Sequence, residues 1–177
     1  SNDAWNLYAQ QVLLGSLKLP FIPDEIIDRL PSFQQYLKLV IREDLPFNFD
    51  AWDGYPAERN RFLKAAGSKT QKNIFVAGDT HNCWVSNIKD EESFRGVELG
   101  APSVTSPGAS ENFAGLVTAT DLEKAVVNKN KNLKWTNLTN RGYLTINFNP
   151  GFADAEFKGV NNIDSKDYSS IILKKFK

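Results

Sequence analysis

Asn73-Ile-Phe-Val-Ala-Gly-Asp-Thr-His-Asn-Cys-Trp84 is the stretch around which the rest of the chain is read. Ile74-Phe75-Val76-Ala77 is a short continuous apolar run, the pattern of a strand buried on both faces. Gly78 breaks it, and Asp79 and His81 follow two positions apart. In an extended segment, residues i and i+2 leave on the same side. The expectation is therefore a carboxylate and an imidazole projecting together from a strand end, where open α/β sheets gather their ligands. His81 is the one histidine among 177 residues, which makes it the natural centre for metal or acid–base chemistry.

Upstream, Asp50-Ala-Trp-Asp-Gly-Tyr-Pro-Ala-Glu-Arg59 leads into a helix ending near Gly67. Pro56 suits the first helical position, and Glu58 sits in the positive first turn. Helix and strand together form an αβ unit. Further back, Trp5 to Leu14 has apolar residues three and four apart and reads as a helix capped by Asp3. Between them, Pro20, Pro23, Pro31 and Pro46 cut the chain into short pieces. Within that stretch Asp24 to Leu30 and Ser32 to Ile41 read as helical, and the whole as a connector or a lid.

Downstream, Val85 extends briefly, Phe94 to Leu99 reads as a strand, and Gly100 to Gly108 as a small-residue loop. Glu111 to Val117 and Asp121 to Asn128 read as short helices capped by Ser110 and Thr120. Leu133 to Leu138, Gly142 to Phe148, Phe152 to Val160 and Ser169 to Phe176 alternate like half-buried antiparallel strands, with Asn149-Pro-Gly as a turn. The fold class is α/β, closing in an antiparallel β meander.

The 21 basic and 21 acidic residues balance, so no overall field favours nucleic acid or an anionic membrane. No apolar run is long enough to span a membrane. Cys83 is the single cysteine, so no internal disulfide forms, and it reads as a buried, inert thiol. Ser1-Asn2 resembles the scar of a cleaved tag, which would place the start of the chain inside a longer protein.

Asp-x-His at a strand end suits zinc, iron or manganese, because imidazole favours borderline ions and carboxylate the hard ones. Gly78-Asp-Thr-His-Asn82 resembles the opening motif of calcineurin-like phosphoesterases. Those enzymes need further motifs with a later histidine, and none follows His81. The fuller resemblance is to the PhoD-like alkaline phosphatase and phosphodiesterase family, within the metallophosphatases. It rests on the Gln10-Gln11-Val12-Leu13-Leu14 segment, the Trp52-Asp-Gly-Tyr-Pro-Ala-Glu-Arg59 block and Gly78-Asp-Thr-His-Asn-Cys-Trp84. Val97-Glu-Leu-Gly-Ala-Pro-Ser-Val-Thr-Ser-Pro-Gly108 and Asn140-Arg-Gly-Tyr143 follow in the family's order.

The resemblance implies that residues 1–177 are the C-terminal portion of a PhoD-like metallophosphatase domain, a layered α/β sandwich whose N-terminal half lies outside this sequence. It implies hydrolysis of phosphate mono- or diesters by the longer protein, with the isolated chain inactive. Asp79 and His81 match the late metal ligands, and the implied ions are iron and calcium, with zinc or manganese as other candidates. Asn82 and Arg59 are the implied catalytic residues, with Asp53 bracing the site beside Arg59. Trp52 and Tyr55 read equally as a pocket wall or as core. The implied setting is periplasmic or extracellular, and the implied partners are a phosphate ester and either the missing half or a second copy. A different reading stands beside it: a stand-alone, non-catalytic binding module that keeps the motifs for packing.

Overall fold

The computed structural model describes residues 4–67, 72–91 and 93–177. Asp3, expected as a cap, and part of the expected Ser68–Lys72 loop lie outside the described residues. Five strands form one mixed sheet in the order β1-β2-β4-β3-β5, where β1 is Asn6–Ala9, β2 Asn73–Ala77, β3 Cys83–Lys89, β4 Phe94–Gly100 and β5 Leu133–Asn137. β1 and β4 run parallel to β2 on either side, while β3 is antiparallel to both β4 and β5. A second, antiparallel sheet holds β6 (Gly142–Phe148), β7 (Ala153–Val160) and β8 (Ser170–Phe176) in chain order. Asn149 N–H closes the β6–β7 turn on the Phe152 carbonyl at 2.9 Å.

The expected helix from Trp5 to Leu14 is instead a short strand and a loop. Along β1 the burial alternates, with Asn6 and Tyr8 half-buried and Leu7 and Ala9 exposed, as period-two geometry requires. The three- and four-residue spacing arose because the loop beyond β1 dips Leu13 and Leu14 into two different apolar clusters. Other boundaries moved less. The helical pieces are α1 (Asp24–Ile27), α2 (Leu37–Arg42), α3 (Pro56–Ala66), α4 (Ala109–Asn112) and α5 (Ala119–Lys129). Ser32–Gln34 is a separate 3₁₀ turn, so the expected Ser32 to Ile41 helix is split. The cap of α5 is Thr118, whose hydroxyl accepts the Asp121 N–H at 3.2 Å. β5, expected in the closing meander, joins the five-stranded sheet through β3.

The large sheet is covered on both faces. Ile74, Cys83, Val85 and Leu99 pack against Ala155 and Phe157 of the small sheet. The opposite face sends Phe75 and Ile88 to Leu14 and Leu63, where Tyr8 stacks on Phe75 at 5.0 Å. Ala77 and Trp84 join Leu13, Leu122 and Leu138 under the α1–α2 segment and α5. Full burial of a side chain such as Phe75 stabilises by about 1.5–3 kcal/mol. The result is a β/β/α layering that sets the turn after β2 beside the helical layer.

Candidate functional site

Two loops hold the end of β2. Gly78 N–H donates to the Gln11 carbonyl at 3.0 Å, and Ala101 N–H donates to the Ala77 carbonyl at 2.8 Å. The chain then turns sharply, with Thr80 N–H on the Gly78 carbonyl at 2.7 Å. Asp79 (φ 64°) and His81 (φ 63°) are both left-handed. The expectation of an extended Asp-x-His segment is therefore corrected: the two side chains share a site because of a doubly left-handed turn. Among side chains other than glycine, Asp and His are several-fold enriched in this conformation. It still costs each residue roughly 1–2 kcal/mol.

Three side chains hold the turn against that cost. Buried Asn82 donates from Nδ2 to the Thr80 carbonyl at 2.5 Å and accepts the Ala109 N–H on Oδ1 at 2.9 Å. The Trp84 indole N–H donates to Thr80 Oγ1 at 2.6 Å. His81 Nδ1 lies 3.2 Å from the Pro107 carbonyl. A carbonyl can only accept, so this contact places a proton on Nδ1, and in the neutral ring Nε2 is then the lone-pair donor. The Asp79 carboxylate has no ion pair or side-chain hydrogen bond among the described residues. Gly108 lets the two loops meet, since a Cβ there would stand 2.5 Å from the Leu138 carbonyl oxygen.

Asp79, Thr80, His81 and Asn82 line one side of a cleft of about 330 Å³. The other walls come from the Leu17–Leu19 segment, the α1–α2 region and the face of α5 carrying Leu122 and Val126. Of the residues singled out in the sequence, Asp79, His81 and Asn82 meet here, and Arg59 does not line the cleft. Arg59 Nε instead donates to the Leu14 carbonyl at 2.7 Å. Trp52 stacks on Phe62 at 5.3 Å and donates to Gln10 Oε1, which makes it part of the core under α3. Tyr55 is 57% exposed and outside the cleft. Cys83 is fully buried, and burial, with the Glu123 charge second, pushes its thiol up to about 12. No group of three or more His, Cys, Asp or Glu side chains converges among the described residues.

The sequence reading named Asp53 and Arg59 as bracing residues but missed Glu98 and Asn130 behind the cleft. Glu98, 1% exposed, accepts the Leu14 and Gly15 amides at 2.6 and 2.8 Å. Asp53 accepts the Leu17 amide at 3.1 Å, and Asn130 exchanges two bonds with the Lys18 backbone at 2.9 and 2.8 Å. Burial pushes the Glu98 carboxyl up to about 7, against the pull of the two amides and of Arg59. Asp53 is also raised by burial. Glu98 stands between Val97 and Leu99 as a solvent-side residue does in an alternating strand, so the local pattern did not mark its burial.

Comparison with known proteins follows this geometry. Residues 1–157 match the family of PhoD-like phosphatases. Alkaline phosphatase D of Bacillus subtilis (strain 168) is 31% identical over 118 residues, covering 63% of this chain and 19% of that protein. The solved structure of PhoD superposes with a TM-score of 0.70 at 23% identity, over 97% of this chain and 29% of that one. The chain thus spans about a fifth of the length of the curated relative and under a third of the solved one.

Proposed function

Because the chain belongs to the PhoD-like phosphatase family, we propose that it forms the C-terminal part of a metal-dependent phosphoric ester hydrolase and contributes Asp79 and His81 to its metal centre. The observation that carries this reading is the strained turn. Two left-handed residues one position apart, Asp79 and His81, held by Asn82, Thr80 and Pro107, direct one carboxylate and one imidazole into one cleft. Strain of this kind persists only where the surroundings over-determine it, and it clusters at functional sites.

The donors fit part of a metal site. His81 has Nε2 free, its Nδ1 held by a backbone carbonyl in the manner of metal-ligating histidines. Asp79 offers a carboxylate with no competing cation among the described residues. Imidazole suits iron, zinc or manganese, and carboxylate oxygen suits these and calcium. When bound, such an ion polarises a phosphoryl oxygen and lowers the pKa of bound water. Asp79 and His81 would hold the ion on their side of the cleft, and Asn82, both ends of its amide engaged, fixes the turn. Arg59 acts at one remove, by fixing the Leu14–Lys18 segment that forms a cleft wall.

Two ligands do not complete a centre that cleaves phosphoric esters, so the 177-residue chain alone is expected to turn over such substrates negligibly. A direct test is titration with Mn²⁺ while following the ring signals of the single histidine. Selective broadening that disappears in Asp79→Ala is expected. Broadening spread evenly over surface carboxylates, unchanged by that substitution, would remove the assignment. In a longer family protein containing this segment, His81→Ala should abolish ester hydrolysis without unfolding the chain.

A further inference from the structure

Leu14 to Leu19 is irregular chain, and Leu17, Lys18 and Leu19 form one wall of the cleft. Backbone outside helices and strands must find its hydrogen bonds elsewhere. Here distant side chains supply them. Asp53 and Asn130 hold the Leu17 and Lys18 amides of the wall itself. Glu98 holds the two amides just ahead of it, Leu14 on Oε1 and Gly15 on Oε2. The fit is close: a Cβ on Gly15 would stand 2.8 Å from Glu98 Oε2 and 3.3 Å from Ser86 Cβ.

Both Glu98 oxygens are thus committed to N–H donors, an arrangement that suits one protonation state. A carboxylate accepts on both oxygens, and its charge strengthens both bonds. Taking up a proton removes that charge and places an O–H on one of the two oxygens. The surroundings pull both ways. Burial and the Asp53 charge favour the proton, while the two amides and Arg59 favour its loss. Phe75 and Ser86, paired with Glu98 across the sheet, carry no titratable group. Lys18 and Asp90 act one step further out, on Asp53 and Arg59.

We propose that Glu98 is a positioning residue for this wall and works as a proton-operated latch. As a carboxylate it holds Leu14 and Gly15 together and keeps the Leu14–Leu19 wall tight. On taking up a proton it releases one amide, and the wall loosens. The wall and the whole fold then answer pH with opposite signs: raising pH through about 7 tightens the latch while total stability falls. The latch goes beyond the phosphoric ester reading and does not depend on it.

The test follows backbone amide resonances of the 177-residue chain from about pH 5 to about pH 9. The Leu14 and Gly15 amide protons should move downfield together through one midpoint near 7, and the Leu17 and Lys18 amides should follow with the same midpoint. Gly15 exchange, corrected for its intrinsic rise with pH, should be about tenfold slower above the midpoint, the effect of one charge-assisted bond. Glu98→Gln should abolish the titration at all four amides, and His81→Ala should leave its midpoint in place. If Glu98→Gln does not fold, the side-chain carboxyl ¹³C resonance of Glu98 in the unaltered chain decides. A midpoint shared with the amides sustains the latch, and a different midpoint, or none, overturns it. Leu14 and Gly15 titrating while Leu17 and Lys18 stay still would overturn it too, since the proton would then not reach the cleft. So would a titration that survives Glu98→Gln, or one that vanishes with His81→Ala.

Discussion

The Gly78–Asn82 turn and the Leu14–Lys18 segment face the same cleft and are held in opposite ways. The turn exposes its two ionisable side chains and holds them on left-handed backbone. The segment receives its support from side chains that never reach the cleft: Glu98 on β4, Asp53 before α3, Arg59 on α3 and Asn130 after α5. One region spends stability to present chemistry, while the other commits buried charge to rigidity. A substitution in the segment should therefore act on folding first, and a substitution in the turn on function first.

The largest effect is expected from Arg59→Ala. It removes the donor to the Leu14 carbonyl and the positive charge that acts on both Glu98 and Asp53. Two acids then share a buried region with less compensation, a loss of roughly 2–4 kcal/mol. Urea unfolding should show the midpoint falling with an unchanged slope. A stable Arg59→Ala chain, combined with lost turnover in the longer protein, would move Arg59 from the supporting segment into the chemistry itself.

Glu98→Gln comes next. The amide fits the space, but its NH₂ group opposes one of the two backbone N–H donors, at a cost of about 1–3 kcal/mol. Its pH signature is more telling. With the folded pKa raised to about 7 from 4.5, the native state keeps a proton that the unfolded chain has already lost. Stability from this group is thus fully present below about pH 4.5 and is lost as pH rises through about 7. The wild-type chain should lose stability across that window, and Glu98→Gln should flatten the slope. An identical slope in both chains would show that Glu98 is not the titrating group.

The sequence was most legible where local and tertiary forces agreed. The apolar run of β2, the Pro56 start and Gly67 stop of α3, and the alternating β6, β7 and β8 sit within a residue or so of their expected places. β3 was expected to extend only briefly at Val85, ahead of the charged stretch that begins at Lys89. Ser86 is in fact buried, and Asn87 N–H bonds the Asn132 carbonyl at 2.8 Å. That pairing partner is 45 positions away and leaves no local trace. The site was half legible: Asp79, His81 and Asn82 could be named from their motif, but not the left-handed turn that joins them. φ at Asp79 and His81 is fixed by Thr80, Trp84, Pro107 and Ala109, which the sequence does not place in space.

Within the turn, Asn82→Ala should cost about 1–2 kcal/mol, because the Ala109 N–H loses its acceptor and the Thr80 carbonyl its donor. The effect should still be smaller than that of Arg59→Ala. In a Mn²⁺ titration the variant should bind more weakly than wild type, since the ligands are no longer held in one geometry. Unchanged affinity would mean that Thr80, Trp84 and Pro107 suffice to hold the turn.

The smallest shift separates the two kinds of region most sharply. His81→Ala and His81→Gly delete the same imidazole and the same contact with the Pro107 carbonyl. They differ only in whether a Cβ remains on backbone at φ 63°. Glycine escapes the left-handed penalty but adds freedom to the unfolded chain, which offsets part of the gain. His81→Gly should therefore be more stable than His81→Ala by about 0.5–1 kcal/mol, measured by urea unfolding at one pH. Both should lose Mn²⁺ binding equally. Together these outcomes would show a residue whose backbone destabilises the fold while its side chain serves the site. Equal stability of the two variants would mean that the turn relaxes without its imidazole, and that the His81 side chain itself helps to maintain the strained geometry.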